Sequence, residues 1–142
     1  GKPLFTCGLL AVCKKNEIHA AAVKGGPYYI DPMFHRKVLK VPSGNLDSYF
    51  TDEDTLRGIL TDKMDQSDLT VIEGVMGFYD GLSGISEKAS TYDVARLTKT
   101  PVLLVVDGKG ASVSLAALIR GIRDYREDSH IAGVLLNRVP PA

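Results

Sequence analysis

The chain has 142 residues, of which 44% are hydrophobic, and its 17 basic side chains balance 17 acidic ones. That length gives one domain or part of one with apolar material enough for a core, and the zero balance excludes a global field that would gather nucleic acid or anionic lipid. No apolar run reaches the roughly 20 residues needed to cross a bilayer and no signal-peptide pattern opens the chain, so a cytoplasmic protein is expected, with neither nucleic acid nor a membrane as partner.

The first residues, Gly1-Lys2, run straight into a helix. They match the end of a phosphate-binding loop of the form GxxxxGK[ST], whose lysine reaches the β and γ phosphates while backbone amides cradle the anion at the helix N-terminus. A hydroxyl residue that ligates magnesium should follow, and Pro3 and Leu4 stand there instead. Proline suits a first helical turn but offers a cation no oxygen.

Thr6 to Lys15 reads as a helix and Ile18 to Lys24 as a strand entering the Gly25-Gly26-Pro27 break. Tyr28 to Ser48 is rich in Gly, Pro, Asp and Asn and reads as a long irregular loop, a kind of segment that commonly carries function. Thr51 is placed to cap the next helix, with Asp54 three residues on, and Leu56, Ile59, Leu60 and Met64 recur along one face. Leu69 to Glu73 is a short strand ending on an acid, and Thr91 to Thr98 is a helix. Pro101 to Asp107 is a continuous apolar run suited to a strand covered on both faces. Leu115, Leu118, Ile119 and Ile122 form one more helical stripe, and Ile131 to Leu136 is the last strand. This alternation predicts an α/β doubly wound sheet with ligands at the carboxyl ends of the strands.

Glu73, at a strand tip, sits where nucleotide hydrolases hold magnesium or its water shell, although an acid there can equally cap the following turn. Gly74 and Gly77 would let the backbone approach a ligand closely, and Asp80 between Tyr79 and Gly81 is either a site acid or a turn residue. Cys7 and Cys13 read as reduced, packed thiols, because no CxxC pair or Cys/His cluster accompanies them.

GGPYYIDPMFH at Gly25 to His35, GNLDSY at Gly44 to Tyr49, VIEGVMGFYDG at Val71 to Gly81, STYDVARL at Ser90 to Leu97, PVLLVVD at Pro101 to Asp107 and GVLLNRV at Gly133 to Val139 occur in one order and spacing. That joint pattern, over nearly the whole chain, resembles the cobyrinic acid a,c-diamide synthases. The resemblance implies a phosphate-loop (P-loop) NTPase-like fold close to dethiobiotin synthetase, with residues 1–142 forming a partial ATP-binding synthetase domain that lacks its first strand and most of the phosphate loop. It also implies a class I glutaminase domain as partner in the full-length protein, outside this chain, and a homodimer is a compatible assembly. An isolated fragment of this kind is expected to expose apolar sheet edge and to aggregate.

The implied reaction is glutamine- and ATP-dependent amidation of the c and a acetate side chains of a corrin, with ATP and Mg2+ required, in cobalamin biosynthesis. By the same resemblance Lys2, Tyr29 and Asp80 form the catalytic set, and Gly1, Lys2 and Asn137 bind the nucleotide. Tyr29, Ile30 and Asp31 face the tetrapyrrole substrate, and Glu73 and Asp47 are the metal acids. Four positions depart from the family pattern: Tyr28 stands for an acid, Pro3 and Leu4 for threonines, and Gly44 for an arginine. Tyrosine supplies no carboxylate at neutral pH. Two other classes therefore stay open: a catalytically silent relative that still binds a nucleotide or tetrapyrrole, and a partitioning-type ATPase of the same fold class.

Overall fold

A computed structural model describes residues 1–26 and 30–139. Its elements are α1 (Lys2–Lys15), β1 (Ala20–Gly25), α2 (Ile30–Phe34), β2 (Ser43–Leu46), α3 (Glu53–Asp65), β3 (Leu69–Glu73), α4 (Thr91–Thr98), β4 (Val102–Asp107), α5 (Ser114–Asp124) and β5 (Ile131–Asn137). A π-helical turn, His35–Leu39, follows α2, and a 3-10 turn, Leu82–Gly84, precedes α4. The architecture is α/β with parallel strands, as the apolar runs predict.

β1 lies between β2 and β3 in the order β2-β1-β3, while β4 and β5 pair with each other. Among the described residues no hydrogen-bonded pairing joins β3 to β4, so the expected single sheet is found as a three-stranded and a two-stranded group. The three-stranded group is wound on both faces. Leu10 and Cys13 of α1 pack with Ala20, Ala22 and Val41 on one face. Leu56 and Leu60 of α3 and Val94 of α4 pack with Val23 and Leu46 on the other. The small side chains of Ala20, Ala21 and Ala22 permit this approach from both sides, and every residue of β1 is buried. Under β4 and β5, Leu104 and Val106 meet Leu115 of α5, with Phe78, Ile119 and Ile122 alongside.

Two local expectations need correction. The cap of α3 is Asp52, not Thr51: its carboxylate accepts the Thr55 N–H at 2.9 Å and the Thr55 hydroxyl at 2.9 Å. The stretch read as irregular carries β2, α2 and the π-helical turn. β2 escapes a pattern search because Ser43-Gly44-Asn45-Leu46 has a single apolar residue, and its strand form comes from pairing with Ala22 to Gly25 of β1. Pro27, Tyr28 and Tyr29 lie outside the described residues, so the expected roles of Tyr28 and Tyr29 have no structural counterpart here.

Candidate functional site

Side chains of one face alternate along a strand, so Lys24 follows Ala20 and Ala22 onto the α1 side of the sheet. Register places Asn45 of β2 and Glu73 of β3 on either side of it, forming a polar row across the carboxyl ends of three strands. The Lys24 ammonium lies 2.7 Å from Glu73 Oε1 and 2.6 Å from Asp31 Oδ2 in the first turn of α2. The Lys24 side chain is 6% exposed, Glu73 is 2% exposed and Asp31 is 32% exposed. Burial works against the charge on Lys24, but the hydrogen bonds it donates to Asp31 and Glu73 and their negative charges outweigh it, so the ammonium titrates above the ordinary lysine range.

α1 runs back along β1, which brings its N-terminus to the same strand ends. Lys2, in its first turn, donates to the Met76 carbonyl just beyond β3. Burial, then the like charge of Lys24, lowers the Lys2 pKa, against opposing pulls from Glu73 and Asp80. One face of the fold thus gathers Lys2, Lys24, Asp31, Glu73 and Asp80. Behind them, the Cys7 thiol is 3.8 Å from His35 Nε2. Burial raises the Cys7 pKa, with Glu73 and Asp31 adding to the effect, so the thiol is not poised as a thiolate nucleophile. Cys13 is a buried core residue.

Asp80 also has the turn role: its carboxylate accepts the Gly77 N–H at 3.0 Å, and its own N–H donates to the Gly77 carbonyl. Gly74 and Gly77 make room for protein atoms, since a Cβ at Gly74 would overlap the Thr91 side chain and one at Gly77 the Asp80 carboxylate. Thr91 in turn bonds both the N–H and the carbonyl of Val75 at 3.1 Å, clamping the chain beyond β3 onto α4.

Glu73 Oε2 is buried with no hydrogen-bond partner among the described residues. Such an orphaned acceptor fits a magnesium ion or its bound water, which typically needs only one or two protein carboxylates besides phosphate. Asp47 is placed differently: its Oδ1 accepts the Tyr49 N–H at 2.9 Å. No group of three or more His, Cys, Asp or Glu side chains among the described residues could hold a metal. Gly1 caps α1 by its backbone only. Ile30 is 79% exposed at the start of α2. Asn137 ends β5 beside Asp107 of β4, and its carbonyl accepts the Gly108 N–H at 2.7 Å. The adjoining Arg138 Nε donates to Asp107 at 2.9 Å, and that hydrogen bond leads the effects holding the Asp107 carboxyl down at about 2.

Asp31, Glu73 and Asp80 of the cluster fall within the segments that carried the resemblance. Cobyrinate a,c-diamide synthase of Listeria monocytogenes is 44% identical over 140 residues, which is 98% of this chain and 31% of that protein. The proteins of the same name from Gloeobacter violaceus and Thermoplasma acidophilum are 45% and 42% identical over 139 residues, again 98% of this chain and 31% of theirs. The chain belongs to the cobyrinate a,c-diamide synthase family. It spans about a third of the length of these relatives. No protein-family model matches it.

Residue patterns singled out Lys2, Glu73 and Asp80, the resemblance added Asp31, and the fold brings all four to one face. Lys24 was missed, while Cys7, read as a packed thiol, lies with His35 behind the cluster. The available signal for Lys24 was a lysine closing the run Ala20-Ala21-Ala22-Val23, because a charge at the end of a buried strand requires partners. Two departures from the synthase pattern have a structural setting. Pro3 occupies the first turn of α1, where its ring fits. Gly44 is not required by the backbone, since a Cβ there meets only Lys63 Cε at 3.7 Å, an ordinary contact.

Among the described residues no helix is long and apolar enough to cross a membrane.

Proposed function

We propose that the chain is the nucleotide-binding synthetase part of a carbon-nitrogen ligase. This ligase converts the c and a carboxylates of cobyrinic acid, or a related tetrapyrrole, to amides at the expense of ATP and glutamine. The observation that carries this reading is the likeness to cobyrinate a,c-diamide synthases across 98% of the chain. The gathering of Lys2, Asp31, Glu73 and Asp80 at the strand ends supports it.

A carboxylate is a poor electrophile because its two oxygens share the negative charge. Its oxygen attacks the γ-phosphorus of ATP and ADP departs with the bridging oxygen, giving an acyl phosphate. Ammonia released from glutamine by the glutaminase domain then adds to the acyl carbon, phosphate leaves, and the nitrogen sheds a proton to give the amide. Catalysis of this kind is mainly positioning and charge neutralisation. Lys2, half-buried and with its pKa lowered, is poised to gain a phosphate oxygen as its counter-charge. Glu73 offers Oε2 to magnesium or its water, and magnesium when bound neutralises charge on the phosphates. Asp31 borders the segment that faces the tetrapyrrole. No protein nucleophile is needed, in keeping with a Cys7 thiol held protonated.

The test uses the complete polypeptide with cobyrinic acid, glutamine, ATP and magnesium. ADP should form in step with carboxyl-to-amide conversion read by mass spectrometry. Absence of ATP turnover with every tetrapyrrole acid offered overturns the reading. A second reading, a relative that binds without turnover, is favoured by Pro3 and Gly44, where the family pattern has polar groups and the backbone requires neither residue. Calorimetric binding of nucleotide or tetrapyrrole without product would establish it.

A further inference from the structure

Lys24 has no part in the chemistry above, yet it is buried more deeply than any other ammonium near the site. For stability alone a lysine here is a poor choice. Burying an ammonium carries a large desolvation cost, and a paired buried charge is commonly no better than an apolar residue of similar size. Beneath the polar row that it forms with Asn45 and Glu73, Ala20 and Ala22 of the same face pack against Leu10 and Cys13. What Lys24 does achieve is a connection between elements far apart in sequence. Through Glu73 it is bound to the tip of β3, and through Asp31 to the first turn of α2.

The segment from Ile30 to Leu39 has other polar contacts, most of them beyond its first turn. Ser43 Oγ donates to the Pro32 carbonyl at 2.7 Å, the exposed Lys14 ammonium donates to the Leu39 carbonyl at 3.3 Å, and His35 meets Cys7 only at 3.8 Å. Ile30, Met33, Phe34 and Val38 face solvent, whereas Pro32 and His35 are buried and Leu39 packs against the α1 core, so burial seats the later part of the segment more than its first residues. A charged tie at the N-terminal end of the segment therefore decides where that end sits relative to β3.

We infer that Lys24 is a positioning residue that ties the Ile30–Leu39 segment to Glu73, and so keeps the substrate side of the site in register with its phosphate side. The tie itself stands on geometry; what it positions rests on the synthetase reading. Lys24 touches no reacting atom in this account and acts through Asp31 and Glu73.

Hydrogen exchange of the complete polypeptide tests it, comparing amides of residues 30–39 with those of residues 10–23 as an internal reference. In Lys24→Met, exchange over 30–39 should accelerate by about tenfold or more beyond any change in the reference, as expected for local opening of one segment. Lys24→Arg, which keeps the charge, should retain most of the protection. In Lys24→Met the KM for the tetrapyrrole acid should rise by about tenfold, with the KM for ATP changing less than about twofold. Asp31→Asn removes the tie from its more exposed end and should give the same exchange signature if Lys24→Met fails to fold. Unchanged protection of 30–39 in either variant overturns the inference, and so does an equal rise in both KM values. If the unaltered protein turns over no tetrapyrrole, the synthetase reading falls, and the exchange comparison decides the tie by itself.

Discussion

Lys24 Nζ lies 2.7 Å from Glu73 Oε1 across neighbouring parallel strands, with neither side chain more than 6% exposed. An ion pair so thoroughly removed from water depends on both members. Lys24→Met leaves the Glu73 carboxylate buried without its cation and should lower stability by about 3 kcal/mol. Adding Glu73→Leu to it removes the orphaned charge and should recover part of that loss. Urea unfolding of both variants checks the order, and a double variant less stable than Lys24→Met would contradict it.

His35 supplies a pH dependence. Burial is the main cause, aided by the Lys24 charge and opposed by Glu73 and Asp31, of a pKa below the ordinary imidazole value of 6.5. The unfolded chain therefore binds this proton more tightly than the folded one. Stability is complete above pH 6.5 and falls as the pH drops through that value toward the folded pKa. Thermal melts between pH 8 and pH 5, on the order of the range histidine titrates over, should show this slope, and His35→Asn should flatten it. An unchanged slope in the variant would assign the effect to other groups.

Helix α3 distinguishes its cap from its neighbour. Asp52→Ala removes the acceptor for the Thr55 amide and should cost about 1 kcal/mol, whereas Thr51→Ala should cost no more than a few tenths. Denaturant midpoints of the two variants measure the difference directly.

Gly81 is needed for space. A Cβ there would overlap the backbone carbonyls of Ser86 and Lys88, which no side-chain rotation can relieve. Gly81→Ala should destabilise by about 1–3 kcal/mol, while Gly58→Ala, whose Cβ meets nothing within 4 Å on exposed α3, should be neutral or stabilising. Thermal denaturation of the pair tests this, and equal behaviour would refute it.

Restoring the family's polar groups bears on activity. Pro3→Thr together with Tyr28→Asp should raise ATP turnover in the complete polypeptide if the synthetase has decayed, and Gly44→Arg should add to it, because a Cβ at Gly44 meets only Lys63 Cε at 3.7 Å. Steady-state phosphate release is the measurement. No gain from the three changes combined would favour a protein that binds without turnover.

The strands Leu69–Glu73 and Val102–Asp107 and the helix Thr91–Thr98 were legible in the residues, because their apolar spacing is dictated by local geometry and needs no knowledge of neighbours. Lys2 stood out as the end of a phosphate loop, Glu73 as an acid at a strand tip and Asp80 as an acid between Tyr79 and Gly81, whereas Asp31 came only with the family resemblance. β2 was not legible: Ser43-Gly44-Asn45-Leu46 has no strand pattern, and only the open edge of β1 makes it one. Nor were the roles of Gly74 and Gly77, which depend on Thr91 and Asp80 folding back over them.

The sequence by itself determined the alternation of helix and parallel strand, the family and the polar residues available for chemistry, all properties written in local spacing. Only the tertiary structure decided which of those charges meet. Pairing register put Lys24 beside Glu73, and the path of the chain through α2 brought Asp31 to the same ammonium. A buried charge is tolerated solely by partners that packing delivers, and packing is set by the whole fold rather than by any one segment.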